Sequence, residues 1–85
     1  LQWATLRFSP ERSRWVSTEF WHPAQKSHVD ADGRCVLDVP YADHRELLMD
    51  ILKHGTHCEV MAPKSLRRLV TDELAAMHKK YADTP

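Results

Sequence analysis

Residues 54–63 read HGTHCEVMAP, which places His54, His57 and Cys58 within five positions. Imidazole and thiolate are common zinc ligands, and a thiolate beside an imidazole is the nucleophile–base pair of cysteine hydrolases. Zinc needs four converging ligands, or three and a water. A nucleophilic cysteine needs a neighbouring cation or base to hold its thiol ionised.

The elements expected to carry these residues predict neither site. Residues 43–54 read as a helix, with Leu47, Leu48, Ile51 and Leu52 forming an apolar stripe and Gly55 placed for a left-handed cap. His54 then lies in the last helical turn, where an imidazolium suits the dipole. Residues 56–62 read as a strand with Cys58, Val60 and Ala62 on one face, so the consecutive His57 and Cys58 point to opposite sides. Cys35 is the remaining thiol. It falls on a strand expected two spacings away, roughly 10 Å, too far for a shared metal or a disulfide. Inward thiols act as small hydrophobes. With only Gly33 and Gly55 there is no glycine-rich phosphate loop. The expectation is a non-enzymatic domain with no catalytic residues, no metal and no cofactor.

The rest of the chain sets the frame. It has 85 residues, 12 basic and 12 acidic, for a formal net charge of zero. That balance argues against a whole-domain grip on duplex DNA or an acidic membrane. No apolar run approaches the roughly 20 residues of a membrane span. Two cysteines make no disulfide framework, and a cytoplasmic location is expected. The chain opens on Leu1 and closes on a polar tail, as an excised C-terminal domain would.

Alternation over residues 3–8 predicts a first strand, with Ala4, Leu6 and Phe8 inward. Ser9-Pro10-Glu11 starts a helix expected to reach Trp21, burying Val16 and Phe20, with Trp15 and Trp21 beside them. His22-Pro23 stops it. Residues 24–30 form a polar edge strand, Asp32-Gly33 turns the chain, and Cys35, Leu37 and Val39 face inward on a strand that Pro40 ends. Asp43 and Glu46 resemble a capping box for the second helix. Pro63 opens a third helix to about Tyr81, lined by Leu66, Val70, Leu74, Met77 and Tyr81. The order β-α-β-β-α-β plus a C-terminal helix predicts an α+β, ferredoxin-like antiparallel sheet in strand order 4-1-3-2. The whole chain, residues 1–85, reads as a single domain with an ordered core over residues 3–81.

Three groups of residues are candidates for binding. Arg67 and Arg68 sit near the start of the third helix, where basic residues oppose the dipole, so they could serve an anion or a domain partner. The ordinary alternative pairs Arg68 with Asp72 at i,i+4 and leaves Arg67 solvated. Trp21, His22 and Gln25 could present an aromatic face with polar neighbours to a stacked ligand, or could simply cap the core. Trp3, Arg7, Val36 and Met61 fall on the outer sheet face with Asp38, His57 and Glu59. An apolar cluster there predicts that this face, or the third helix, forms a homodimer or interdomain contact.

Several segments in order carry a family resemblance: LRFSPE at 6–11, WHPAQ at 21–25, DGRCVLDVP at 32–40, LKHGTHCEVMAP at 52–63 and SLRRLV at 65–70. Over residues 3–81 the chain resembles the WCX domain, the C-terminal extension of WYL-domain transcription regulators. The resemblance implies a bacterial parent with an N-terminal helix-turn-helix that binds DNA and a WYL domain that senses a ligand, in some members a nucleic acid. It implies a ferredoxin-like C-terminal module that supports dimerisation and effector sensing. The partners implied are the WYL and helix-turn-helix domains of the same chain, a second copy, and an anionic or nucleic-acid effector acting through the parent. No membrane and no direct duplex DNA contact is expected of this domain. An ACT-like small-molecule-binding module is the alternative.

Overall fold

The computed structural model describes residues 1–82. Strand β1 (Gln2–Phe8) leads to helix α1 (Pro10–Val16), then β2 (Lys26–Val29) and β3 (Cys35–Tyr41). Helix α2 (His44–Lys53), a 3-10 turn at Gly55–His57, β4 (Cys58–Ala62) and helix α3 (Lys64–Ala82) follow. The domain is α+β with one four-stranded antiparallel sheet and a C-terminal helix. Its strands lie in the order β2-β3-β1-β4, that is, 4-1-3-2 from the opposite edge.

Period-two alternation holds through the two central strands. Ala4, Leu6 and Phe8 on β1 and Cys35, Leu37 and Val39 on β3 all face the core. Their register is direct, with Ala4 opposite Val39, Leu6 opposite Leu37 and Phe8 opposite Cys35. Val16 of α1, Leu47 and Ile51 of α2, Val60 of β4 and Leu66 of α3 complete one core. Asp43 caps α2 by accepting the Arg45 backbone N–H, and the Arg45 guanidinium beside it holds the Asp43 carboxyl down at about 2. Gly55, at φ +59°, supplies the left-handed residue just past the helix.

Several sequence expectations are corrected. Helix α1 ends at Val16, not Trp21, because the Ser17 and Thr18 hydroxyls donate to the Arg14 and Trp15 carbonyls and close the last turn. That breaks the i,i+4 relation, so Phe20 is 74% exposed instead of joining Val16. Strand β3 runs through Pro40 to Tyr41. Its pairing with β2 stops at Asp38, so Pro40 lies where the strand has edge character and tolerates a missing donor. Strand β4 starts at Cys58, after the 3-10 turn, and carries a bulge: Leu6 pairs with Val60 but Thr5 pairs with Ala62. The extra residue, Met61, shifts the alternation, so Ala62 is exposed where an inward position was expected.

The α3 stripe meets the core only in its first half. Leu66 is fully buried, and Leu69 and Val70 pack against the core, but Leu74, Met77 and Tyr81 are exposed. Length explains this: 19 residues of helix run about 28 Å, while the five residues of β4 span about 17 Å. The far turns of α3 extend past the strand they pack on.

Candidate functional site

Two side-chain clusters hold most of the polar chemistry. The first lies on the outer sheet face at the β1–β4 pair. Arg7 and Glu59 are register partners, and Arg7 Nη2 donates to Glu59 Oε1 at 3.0 Å. Arg67 reaches back from α3, donating Nη1 to the Val60 carbonyl at 2.9 Å and to Glu59 Oε2 at 3.3 Å. Glu59 sits between two guanidinium groups, and its carboxyl is held below the usual range, mainly by the Arg7 hydrogen bond. Such exposed pairs stabilise little individually. Their local effect is to cover part of the β4 edge, since Arg67 satisfies a carbonyl that would otherwise invite another strand.

This places Arg67 on β4. The Arg68–Asp72 pair allowed by spacing does not form, and Arg68 is exposed with no ion pair among the described residues. The two arginines do not converge on one point. On the same outer face Trp3 is 46% exposed, Val36 lies half-buried opposite Arg7, and Thr5 donates to Asp38 at 2.7 Å. Met61 stands at the bulge, 42% exposed.

The second cluster forms where the WHPAQ segment folds against the core. Gln25 Oε1 accepts from the backbone N–H of Trp21 at 2.6 Å and of His22 at 2.9 Å, while its Nε2 donates to the Glu19 carbonyl. His22 Nδ1 accepts the Ala24 N–H. Gln25 and His22 therefore hold the turn together. The turn swings the Trp21 ring inward, where it stacks on His54 at 5.9 Å, and both rings meet Phe8 edge-on. The structure thus brings Trp21, His22 and Gln25 into one unit with His54, which lies at the end of α2 as expected but buried rather than as an exposed imidazolium. The missed signal is periodicity: Leu47, Ile51 and His54 recur at i, i+4 and i+7, so His54 continues the buried stripe of α2.

Burial also reverses the expected charge of His54. Desolvation pushes its pKa below the ordinary value, outweighing Glu19, whose carboxylate lies 4.0 Å from Nε2. Neither His54 Nε2 nor Trp21 Nε1 has a hydrogen-bond partner among the described residues. A depressed folded pKa means that, below about pH 6.5, the unfolded chain binds a proton that the folded chain refuses. Stability is therefore expected to fall as pH drops through 6.5 and to level off below the folded pKa. The slope should shrink in His54→Phe, measured as urea midpoints between pH 7.5 and 5. An unchanged slope would contradict the buried neutral imidazole.

Neither opening chemistry has the geometry it needs. His57 Nδ1 lies 2.8 Å from Ser9 Oγ and 3.2 Å from Glu11 Oε2. A hydrolytic triad sets acid and hydroxyl on opposite ring nitrogens, whereas here both meet Nδ1. Cys35 and Cys58 both pair with Phe8, from opposite sides, so a whole strand separates them. Burial pushes the Cys58 thiol up to about 12 and raises that of Cys35 as well. Among the described residues, no group of three or more His, Cys, Asp or Glu side chains is placed to hold a metal ion. Both thiols are expected to resist iodoacetamide at pH 8 in the native protein and to react fully in urea, read by mass spectrometry. Rapid native labelling of Cys58 would contradict this.

A family model described as the WCX domain matches residues 1–78, nearly the whole chain. The chain belongs to the WCX domain family. The WCX domain is a WYL-associated regulatory domain, and the resemblance carried by the five sequence segments is thereby shown. No curated protein matches the chain. No helix among the described residues is long and apolar enough to cross a membrane.

Proposed function

We propose that this WCX domain is the non-catalytic, cytoplasmic C-terminal module of a bacterial WYL-type transcription regulator, where it supports dimerisation and effector sensing. The observation that carries the reading is the family match over residues 1–78. Duplex DNA contact falls to the helix-turn-helix of the parent, since this domain has no net charge to contribute. The sheet order and the placement of α1 and α2 support a ferredoxin-like assignment, which leaves one sheet face free for contacts.

Trp3, Val36 and Met61 on that face, with Arg7 held by Glu59, form the surface for a second copy. Arg67 and Arg68 serve this reading differently from a shared anion pocket. Arg67 braces α3 against β4, and Arg68 is available to a neighbouring domain or an anionic effector. The test is the solution mass and effector response of the full-length regulator with and without residues 1–85. Loss of both on deletion supports the reading; retention of both would sink it.

An ACT-like alternative is favoured by one feature, a groove of about 310 Å³ bounded by Trp21, His22, Tyr41, Asp43 and Leu47. Saturable binding of a free amino acid there would favour that alternative.

A further inference from the structure

We propose that a cleft beside the outer end of β1 binds the phosphate group of a small phosphorylated ligand. The cleft has a volume of about 150 Å³ and is lined by Arg7, Ser9, Arg34, Thr56, His57 and Glu59 among others. At about 30 Å³ per water it has room for about five waters, or one tetrahedral oxyanion. It is a different place from the Trp21 groove, and Arg68 does not line it.

The donors come from three separate segments. Arg34 follows the Asp30–Gly33 turn, and its backbone N–H bonds the Asp30 carboxylate. Arg34 is half-buried, and its guanidinium forms no ion pair among the described residues. A guanidinium outside any ion pair keeps its donors open to an anion. Arg7 uses Nη2 on Glu59 and makes no other side-chain hydrogen bond among the described residues. The Thr56 hydroxyl is likewise uncommitted among the described residues, while Ser9 Oγ and His57 Nδ1 already lie within 2.8 Å of each other. Two guanidinium forks with hydroxyl and imidazole donors suit an acceptor with several oxygens.

Charge sets the limit on what fits. The lining arginines and carboxylates are Arg7 and Arg34 against Glu59, which gives 2 − 1 = +1. That supports one phosphate group. A polyphosphate would meet the Glu11 and Glu59 carboxylates, which cannot donate to it. The phosphate could be free or the end of a monoester; the recognition chemistry is shared.

The test is a nitrogen-15 amide titration of this chain with inorganic phosphate, ribose 5-phosphate and AMP, each at ionic strength matched with chloride. The expected result is saturable shifts centred on Ser9, Arg34, Thr56 and His57. Arg34→Gln should weaken the affinity by about tenfold or more, as loss of charge-assisted hydrogen bonds predicts. Arg14→Gln, at an exposed residue outside the cleft, should leave it unchanged. Tighter binding of the esters identifies a monoester as the ligand; equal binding identifies free phosphate. If Arg34→Gln fails to fold, Thr56→Val serves instead, with a smaller loss. Shifts that do not saturate, that chloride reproduces, or that survive Arg34→Gln in a folded protein would overturn the proposal.

Discussion

Replacing Phe8 with alanine is expected to destabilise the domain by about 3–5 kcal/mol, the usual cost of deleting a fully buried aromatic ring. Phe8 has no exposed surface. It pairs with Cys35 on one side and Cys58 on the other, and its ring meets both Trp21 and His54. The cavity left behind would lie where three strands, the WHPAQ turn and the end of α2 converge, so collapse around it is restricted. A domain of this size has a total stability of roughly 4–13 kcal/mol. Phe8→Ala should therefore leave a large fraction unfolded at 37 °C, with Trp21 fluorescence shifting to the exposed value. Trp15→Ala, at a residue 62% exposed, should shift the urea midpoint little. Comparable losses from the two substitutions would contradict the core described above.

Leu66→Ala has the second-largest expected effect, about 2–5 kcal/mol. Leu66 is the one residue of α3 that is buried outright, so it fixes the long helix to the core. Its loss would also withdraw Arg67 from the Val60 carbonyl and from Glu59. The uncovered β4 edge would then offer unpaired backbone groups to other chains. The variant is expected to show earlier amide exchange along α3 and β4 and a rise in aggregation, with β2 and β3 exchanging as before in the folded fraction. A uniform rise in exchange across the sheet would show that α3 is not a separable layer.

The inward faces of β1 and β3, and helix α2, were legible because a single physical signal governs each. Ala4-Leu6-Phe8 and Cys35-Leu37-Val39 alternate without interruption, and α2 has a cap at Asp43 and a left-handed glycine at Gly55. The end of α1 was not legible. It depends on Ser17 and Thr18 hydroxyls choosing backbone carbonyls over solvent, a local competition that composition does not resolve. The Met61 bulge was equally hidden, since β4 alternates cleanly in sequence and the shift arises only in pairing with β1.

Among the site residues, the outward direction of Trp3, Arg7 and Val36 followed from the pleat. The partner of Arg67 did not, because Glu59 lies eight positions earlier in the chain and the contact exists only once α3 folds back along β4. His54 drew attention for the wrong chemistry. Its spacing from Ile51 and Leu47 spoke for burial, and the structure places it under Trp21, where its imidazole is held neutral.

The proposed pairing of this domain through its outer sheet face is tested most directly by sedimentation equilibrium on this chain across a wide concentration range. The expected result is a mass that rises from 9.9 kDa toward twice that value, with Trp3→Glu remaining at 9.9 kDa while keeping a native spectrum. A wild-type mass fixed at 9.9 kDa up to millimolar concentration, or a dimer that Trp3→Glu leaves intact, would contradict it.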